Sequence, residues 1–428
     1  MIFRALIVAM RFSCIGTRMN TITTLDTARQ TNSQLRRFAG NATATGMMHV
    51  MARNSKIEWC DDTWNIITGC TLVDEGCRHC YAAHLITSWP AIGNHPSRKG
   101  LARKNAAGES KFTGEVRFNE DWLDQPLRWK KPRKIFVCAH GDLFHETVPD
   151  EWIDHVFAVM ALAPQHTFQV LTKRPERARA YLNGDGLEMG DASRGANIAC
   201  IAQDDFHQHL HGSTFFTPIG NEEEPQAVLT TWPLPNICLG TSISDQASAD
   251  QRIPHLLAAP AAVRFISAEP LLGEVDLKAT RYGHMTAISR LDWVIVGGES
   301  GPHARPMHPE WARSLRDQCA AAGVPFLFKQ WGEWLPLNQT ALGADDAYYH
   351  PAPEEDPELS SRCKYDSLCI APDGTSYSTG TAHQYHRIAE GAFAGAGHMQ
   401  CFKIGKSRAG RLLDGIEHNG FPQIGGAA

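Results

Sequence analysis

The chain reads as an α/β protein, a partial TIM-type βα barrel of six to seven parallel strands with one insertion and a C-terminal extension. Three observations predict it. From residue 64 to residue 332, short apolar runs alternate with amphipathic helical stretches. The polar residues that follow each run fall at the carboxyl ends of successive strands, where barrel enzymes build their sites. No G-x-G-x-x-G follows the first run, as a dinucleotide-binding doubly wound sheet would want.

The elements follow in order. Trp64–Thr68 is the first strand and Tyr81–Trp89 the helix after it. Residues 134–140 (KIFVCAH) form the second strand, and its helix opens at Pro149-Asp150-Glu151, where acidic residues suit a helix N-terminus. The third is 167–172 (TFQVLT), followed by the helix PERARAYL, and the fourth is 236–242 (NICLGTS), followed by a helix through RIPHLLAA. Residues 263–270 and 292–300 supply the fifth and sixth. HPEWARSLRDQCAAAG is the clearest helix, with Pro309 at its start, Gly323 at its stop and Trp311, Leu315, Cys319 and Ala322 on one stripe. Residues 325–332 (PFLFKQWG) give the seventh strand.

Three segments lie outside this rhythm. Residues 1–53 are rich in Thr, Asn, Arg and Ala without sustained periodicity, and are expected to be a disordered extension or to precede the true start. Residues 185–235 are turn-rich and polar and read as an insertion into a barrel spanning 54–335. Residues 336–428 form an α+β extension with a hairpin at Pro372-Asp373-Gly374 and a final strand entering a helix in CFKIGKSRAGRLLDG.

Composition sets the class. A 428-residue chain that is 43% hydrophobic can bury a substantial core. A formal net charge of −5 argues against a generally basic nucleic-acid binder, though not against a local basic patch. No run of 18 or more apolar residues appears, so no membrane span is expected. The twelve cysteines are too dilute for a stapled secreted domain. Cys138, Cys200 and Cys238 lie in strand-like runs and Cys319 in a helix-like one, as small core residues do. A reducing, cytoplasmic setting is the expectation.

The most informative motif is Cys70-x6-Cys77-x2-Cys80, followed at once by Tyr81. Three close thiols without a fourth nearby ligand suit an iron–sulfur cluster that keeps one iron open, because thiolate is the soft ligand such clusters require. A structural zinc site wants four ligands, which His79 or His84 could complete.

The strand ends add a concentrated polar set: His140, Asp142 and His145 after strand two; Thr172, Lys173 and Arg174 after strand three; Thr241 and Ser242 after strand four; Ser267 and Glu269 on strand five; Gly297, Gly298, Glu299 and then Arg305 after strand six; Lys329 and Gln330 on strand seven. Paired glycines let a ligand approach the backbone, and the adjoining Glu can accept from an ammonium or a ribose hydroxyl. Gly405-Lys406-Ser407 is no phosphate-binding P-loop, since Gln400 stands where that motif needs Gly; Lys406 and Arg408 are expected at the surface or in packing. Two basic stretches within 98–134, with Trp122 and Trp129, offer either a solvated linker or a phosphate-contacting patch for nucleic acid.

The segments SKIEWCDDTWNIITGC, GCRHCYA, GDLFHETVP, LTKRPERA, WVIVGGESGPHARP, PFLFKQWGEW and GKSRAGRLLDG together resemble a phage- and prophage-associated three-cysteine-motif family that is radical-SAM-like. The resemblance implies a [4Fe–4S] cluster on Cys70, Cys77 and Cys80 with S-adenosylmethionine on the open iron, an external electron donor, and a 5′-deoxyadenosyl radical that takes a hydrogen from the substrate. His79 stands where radical-SAM enzymes usually carry an aromatic ring beside the last cysteine. Asp142 is the expected partner of the methionyl ammonium, with Lys173 or Arg174 opposing the carboxylate. Rival readings are a zinc- or cluster-containing nucleic-acid-binding phage protein without catalysis, and a cluster with a structural or redox-sensing role.

Overall fold

The computed structural model describes residues 55–185, 187, 193–219, 226–340, 363–378 and 397–424. Its centre is one sheet of seven parallel strands in simple sequential order: β1 (Asp62–Trp64), β2 (Lys134–Val137), β3 (Thr167–Thr172), β4 (Ile237–Ile243), β5 (Val263–Ala268), β6 (Trp293–Gly297) and β7 (Phe326–Gln330). The sheet curls through 204° into a half-barrel whose edges are β1 and β7. Sequential order with every neighbour parallel is the barrel arrangement and not the doubly wound one. The C-terminal ends of all seven strands therefore share one rim.

Helix α1 (Tyr81–Ser88) packs beside the hairpin of Ala102–Lys104 and Ser110–Phe112, while the outward-facing residues of the strands, among them Val137, Val170, Leu239, Ile266, Val294 and Phe328, form one continuous core with helices α2 (Asp150–Leu162), α3 (Pro175–Asn183), α4 (Arg194–Phe206), α5 (Gln246–Ala258) and α6 (Pro309–Ala322). The inward-facing residues form a second cluster at the amino end of the strands. Trp59 is wedged there against Phe136, Phe265 and Trp293, with ring centroids 4.5, 6.3 and 6.3 Å away. From the other end of the chain, Phe421 lies 5.1 Å from Trp293, whose indole donates to the Gly420 carbonyl. The two ends of the barrel segment thus plug its floor and leave the opposite rim open.

Several expectations shift in detail. The first strand leaves the sheet after Trp64, where the Asn65 side chain accepts from the His140 amide, and Ile67–Thr68 pairs antiparallel with Arg117–Phe118 instead. Cys200 sits in helix α4 and not in a strand. That helix lies inside the expected polar insertion and buries Ile198, Ala199, Ala202 and Phe206. On α6, Pro309 and the left-handed Gly323 bound the helix as expected, but Ala322 is exposed and Ala312 joins the buried stripe.

The C-terminal extension is a four-stranded antiparallel sheet of β8 (Trp334–Pro336), β9 (Ser367–Ile370), β10 (Ser376–Ser378) and β11 (Met399–Lys403), with the Asp373-Gly374 hairpin joining β9 to β10. It shares the barrel's outer core through Trp334, Leu335, Cys401 and Phe402. The expected extension at 1–53 lies outside the described residues. Among the described residues, no helix is long and apolar enough to cross a membrane.

Candidate functional site

The cysteine loop runs from the end of β1 to the start of α1, along the open rim. Gly69 bridges to Gly141 and aligns the loop's entry with the end of β2. Its middle is held by Asp74, which accepts from the Cys77 amide at 3.1 Å and reaches Lys173 at 3.0 Å as well as Arg252 on α5. Burial pushes Asp74 up, but Lys173 and Arg252 overcome it and hold the carboxyl at about 2. Gly76 is pressed so close that a Cβ there would stand 2.1 Å from Ser244 Oγ. Arg305, after β6, donates to the Glu75 carbonyl and carboxylate. At the loop's end the Tyr81 hydroxyl donates to the Ala139 carbonyl at 2.6 Å. Residues from four different strand ends therefore fix this loop.

All three thiols of the motif are free and half-buried. Cys80 is near enough to Cys70 and to Cys77 for their charges to act on one another. Burial, reinforced by Asp142, pushes the Cys70 thiol up to about 12, while Arg174 approaches its Sγ at 3.6 Å and works in the other direction. Among the described residues no three His, Cys, Asp or Glu side chains converge as a metal-ligand set. As donors, three soft thiols on one short loop beside a guanidinium match what an iron–sulfur cluster takes.

Beside the loop the half-barrel opens into a cavity of about 740 Å³. Cys77 and Cys80 line it, whereas Cys70 stands outside the lining. Of the strand-end residues singled out by sequence, His140, Lys173, Ser242, Ser267, Glu269, Gly298, Glu299, Lys329 and Gln330 also line it. Lys329 Nζ donates to both oxygens of Glu269, at 2.7 and 2.9 Å, and Gln330 adds a third bond at 3.1 Å. Glu299 is buried and accepts from the Arg305 backbone and guanidinium, while the His79 ring nitrogen Nδ1 lies 3.1 Å away. The cavity thus presents three carboxylates, Asp62, Glu269 and Glu299, each already matched by a cation, with His79 also on Glu299.

Asp142, Thr172 and Arg174 do not line the cavity. They form a buried network behind the cysteine loop, in which Asp142 accepts from the Thr172 hydroxyl at 2.7 Å, the Phe144 and Lys173 amides, and Arg174 at 3.0 Å. Arg174 continues to Glu146 and to Thr71, on the loop itself. With its acceptor sites filled by the protein, Asp142 positions the loop. The Gly297-Gly298 pair also answers to the protein's own chain. A Cβ on Gly298 would meet the Trp331 carbonyl at 1.9 Å, and one on Gly297 would press on Glu269 at 3.3 Å.

Sequence reasoning passed over Trp59 and His95, and took Arg98 and Trp122 only as parts of a basic stretch; all four come from segments without barrel periodicity and reach the cavity through long-range packing. In the basic stretches, Arg128 pairs with Asp124 and Arg133 with Asp62, whereas Lys130 and Lys131 are exposed. Lys406 is exposed at the cavity's edge, and Arg408 packs over Tyr365.

The profile of a family described as protein of unknown function (DUF5131) matches residues 54–422, from just before the first barrel strand to the floor-plugging segment, and the chain belongs to this family. No curated protein and no solved structure matches it.

Proposed function

We propose that this DUF5131 family member is a radical-SAM-like enzyme, in which Cys70, Cys77 and Cys80 hold a [4Fe–4S] cluster and the adjoining cavity holds S-adenosylmethionine together with the substrate. One observation carries the reading: a three-thiol loop, fixed from several strand ends, borders a large, mainly apolar cavity with a few charged groups at the C-terminal rim of a parallel half-barrel. When bound, the cluster would pass one electron from an external low-potential donor protein to the sulfonium of S-adenosylmethionine and so break a carbon–sulfur bond.

The chain's own residues do the rest. Asp74, Arg305 and the Asp142–Arg174 network anchor the thiol-bearing loop to the barrel rim, where the three cysteines would have to draw together around the cluster. Glu269 and Glu299 are the acceptors in reach of a methionyl ammonium or ribose hydroxyls, and Lys329 and Lys173 are the cations in reach of its carboxylate. The aromatic floor around Trp59 excludes water from beneath.

The test is chemical. Protein purified without oxygen, given S-adenosylmethionine and dithionite, should release 5′-deoxyadenosine and methionine in equal amounts. The Cys70→Ala, Cys77→Ala and Cys80→Ala variants should release neither. No cleavage by protein carrying a full cluster would overturn the proposal, and zinc in place of iron would favour the non-catalytic binding protein.

A further inference from the structure

Four arginines are buried in the described part of the molecule: Arg98, Arg174, Arg194 and Arg252. Three are matched by carboxylates, Arg174 by Asp142, Arg194 by Asp154 and Arg252 by Asp74. Arg98 is the exception. It is 7% exposed, lines the cavity, and has no carboxylate within ion-pair distance among the described residues. A buried cation without a counter-charge is costly, so a chain that keeps one there has an anion to receive.

The neighbours of Arg98 define what that anion meets. Arg98 Nε donates to His140 Nδ1 at 2.9 Å and Nη1 to Ser97 Oγ at 3.3 Å, and the guanidinium lies over the Trp122 ring. A guanidinium only donates, so His140 Nδ1 carries no proton and the ring hydrogen must sit on Nε2. Burial, with Arg98 adding to it, drops His140 to about 3, which keeps the ring neutral. Burial lowers Arg98 to about 10, which leaves it charged at neutral pH. Two donors then remain without a partner among the described residues: Nη2 of Arg98 and Nε2 of His140, both on cavity-lining residues.

We propose that Arg98 and His140 form an oxyanion subsite of the cavity, which takes one singly charged carboxylate or phosphodiester group of the substrate. The charge count sets the valence. At the subsite itself Arg98 is the one cation: the half-buried Lys329 is matched by Glu269, Lys173 shares Asp74 with Arg252, and Lys56 and Lys406 line the cavity only from exposed positions. A second negative charge would be buried uncompensated. The inference rests on the preceding reading only in taking this cavity as the substrate's.

The experiment uses the full chain without S-adenosylmethionine, at fixed ionic strength held with chloride. Acetate, dimethyl phosphate and sulfate are titrated while thermal unfolding and heat of binding are recorded. At least one of the two monoanions should bind saturably, and sulfate should not. The tighter of acetate and dimethyl phosphate identifies a carboxylic acid or a nucleic-acid backbone as the source. Arg98→Gln should weaken that binding at least tenfold while leaving the unliganded protein's melting temperature unchanged or higher, because the uncompensated charge is gone. Arg98→Lys, which keeps the charge without the fork, should lose several-fold. The subsite is overturned if neither monoanion binds, if Arg98→Gln retains affinity within twofold, or if Arg98→Gln instead removes affinity for S-adenosylmethionine. A protein that fails to cleave S-adenosylmethionine but shows these anion responses would refute the catalytic reading and leave the subsite standing.

Discussion

Replacing Asp74 by Asn probes the link between the cysteine loop and the barrel. The substitution keeps the side chain's size but removes the charge facing Lys173 and Arg252. Arg252 is almost fully buried and would retain only the Ser242 carbonyl as a partner. Each hydrogen bond to a charged group contributes about 1.5–3 kcal/mol. Two are weakened here, and the amide oxygen recovers part of one, so the expected loss is about 2–4 kcal/mol. Urea unfolding measures it directly, with the midpoint falling and the slope unchanged. The double variant Asp74→Asn/Arg252→Met should recover part of the loss, with a coupling of about 1–3 kcal/mol. The pH dependence has a definite sign. Because the folded carboxyl titrates at about 2, below its unfolded value of about 4, its contribution is complete above the unfolded value and is lost as pH falls through the folded one. The wild-type chain should therefore lose stability across that window more steeply than Asp74→Asn does. A variant within about 0.5 kcal/mol of the parent, with an unchanged acid limb, would refute the reasoning.

Other perturbations bear on the floor and the cavity. Trp59→Ala opens a void among Phe136, Phe265 and Trp293 and should cost about 3–5 kcal/mol by urea unfolding, where a loss below about 1 kcal/mol would show that the floor repacks. Gly298→Ala places a methyl on the Trp331 carbonyl and should cost more than about 4 kcal/mol or prevent soluble expression, whereas Gly212→Ala, at a site with open space and no left-handed backbone, should cost far less. Lys329→Met leaves Glu269 with Gln330 as its remaining partner. Calorimetric affinity for S-adenosylmethionine should fall at least about tenfold, about 1.4 kcal/mol, and unchanged affinity would remove Lys329 from the binding set.

Much of the barrel was legible because parallel strands are buried on both faces and so read as unbroken apolar runs. The third strand falls at its expected bounds, and the second and the fourth to seventh begin within a residue of theirs. The start of α6 was legible from Pro309 and its end from Gly323, each placed by a backbone preference that acts locally. The misses have long-range causes. Asn65 ends β1 early by bonding to a residue 75 positions away. Helix α4 was hidden by the turn-rich residues around it, although Ile198, Ala199, Ala202 and Phe206 carry helical spacing. The strand-end rule did identify cavity-lining residues from six of the seven strands, among them His140, Ser267, Glu269 and Lys329. It could not tell lining from supporting groups, because Asp142 and Lys173 look alike until Arg174 is seen to claim one and the cavity the other. Arg98 was named only as part of a basic stretch that reads as a solvated linker or a phosphate-contacting patch; a basic residue in a linker is ordinarily solvated, and only the fold shows this one buried.

The most direct test is a metal and sulfide determination on protein reconstituted without oxygen, combined with electron paramagnetic resonance of the reduced state. About four iron and four sulfide per chain are expected, reduced to background in the triple Cys70→Ala/Cys77→Ala/Cys80→Ala variant. Adding S-adenosylmethionine should change the resonance. Zinc without iron, or a cluster whose spectrum ignores S-adenosylmethionine, would contradict the account.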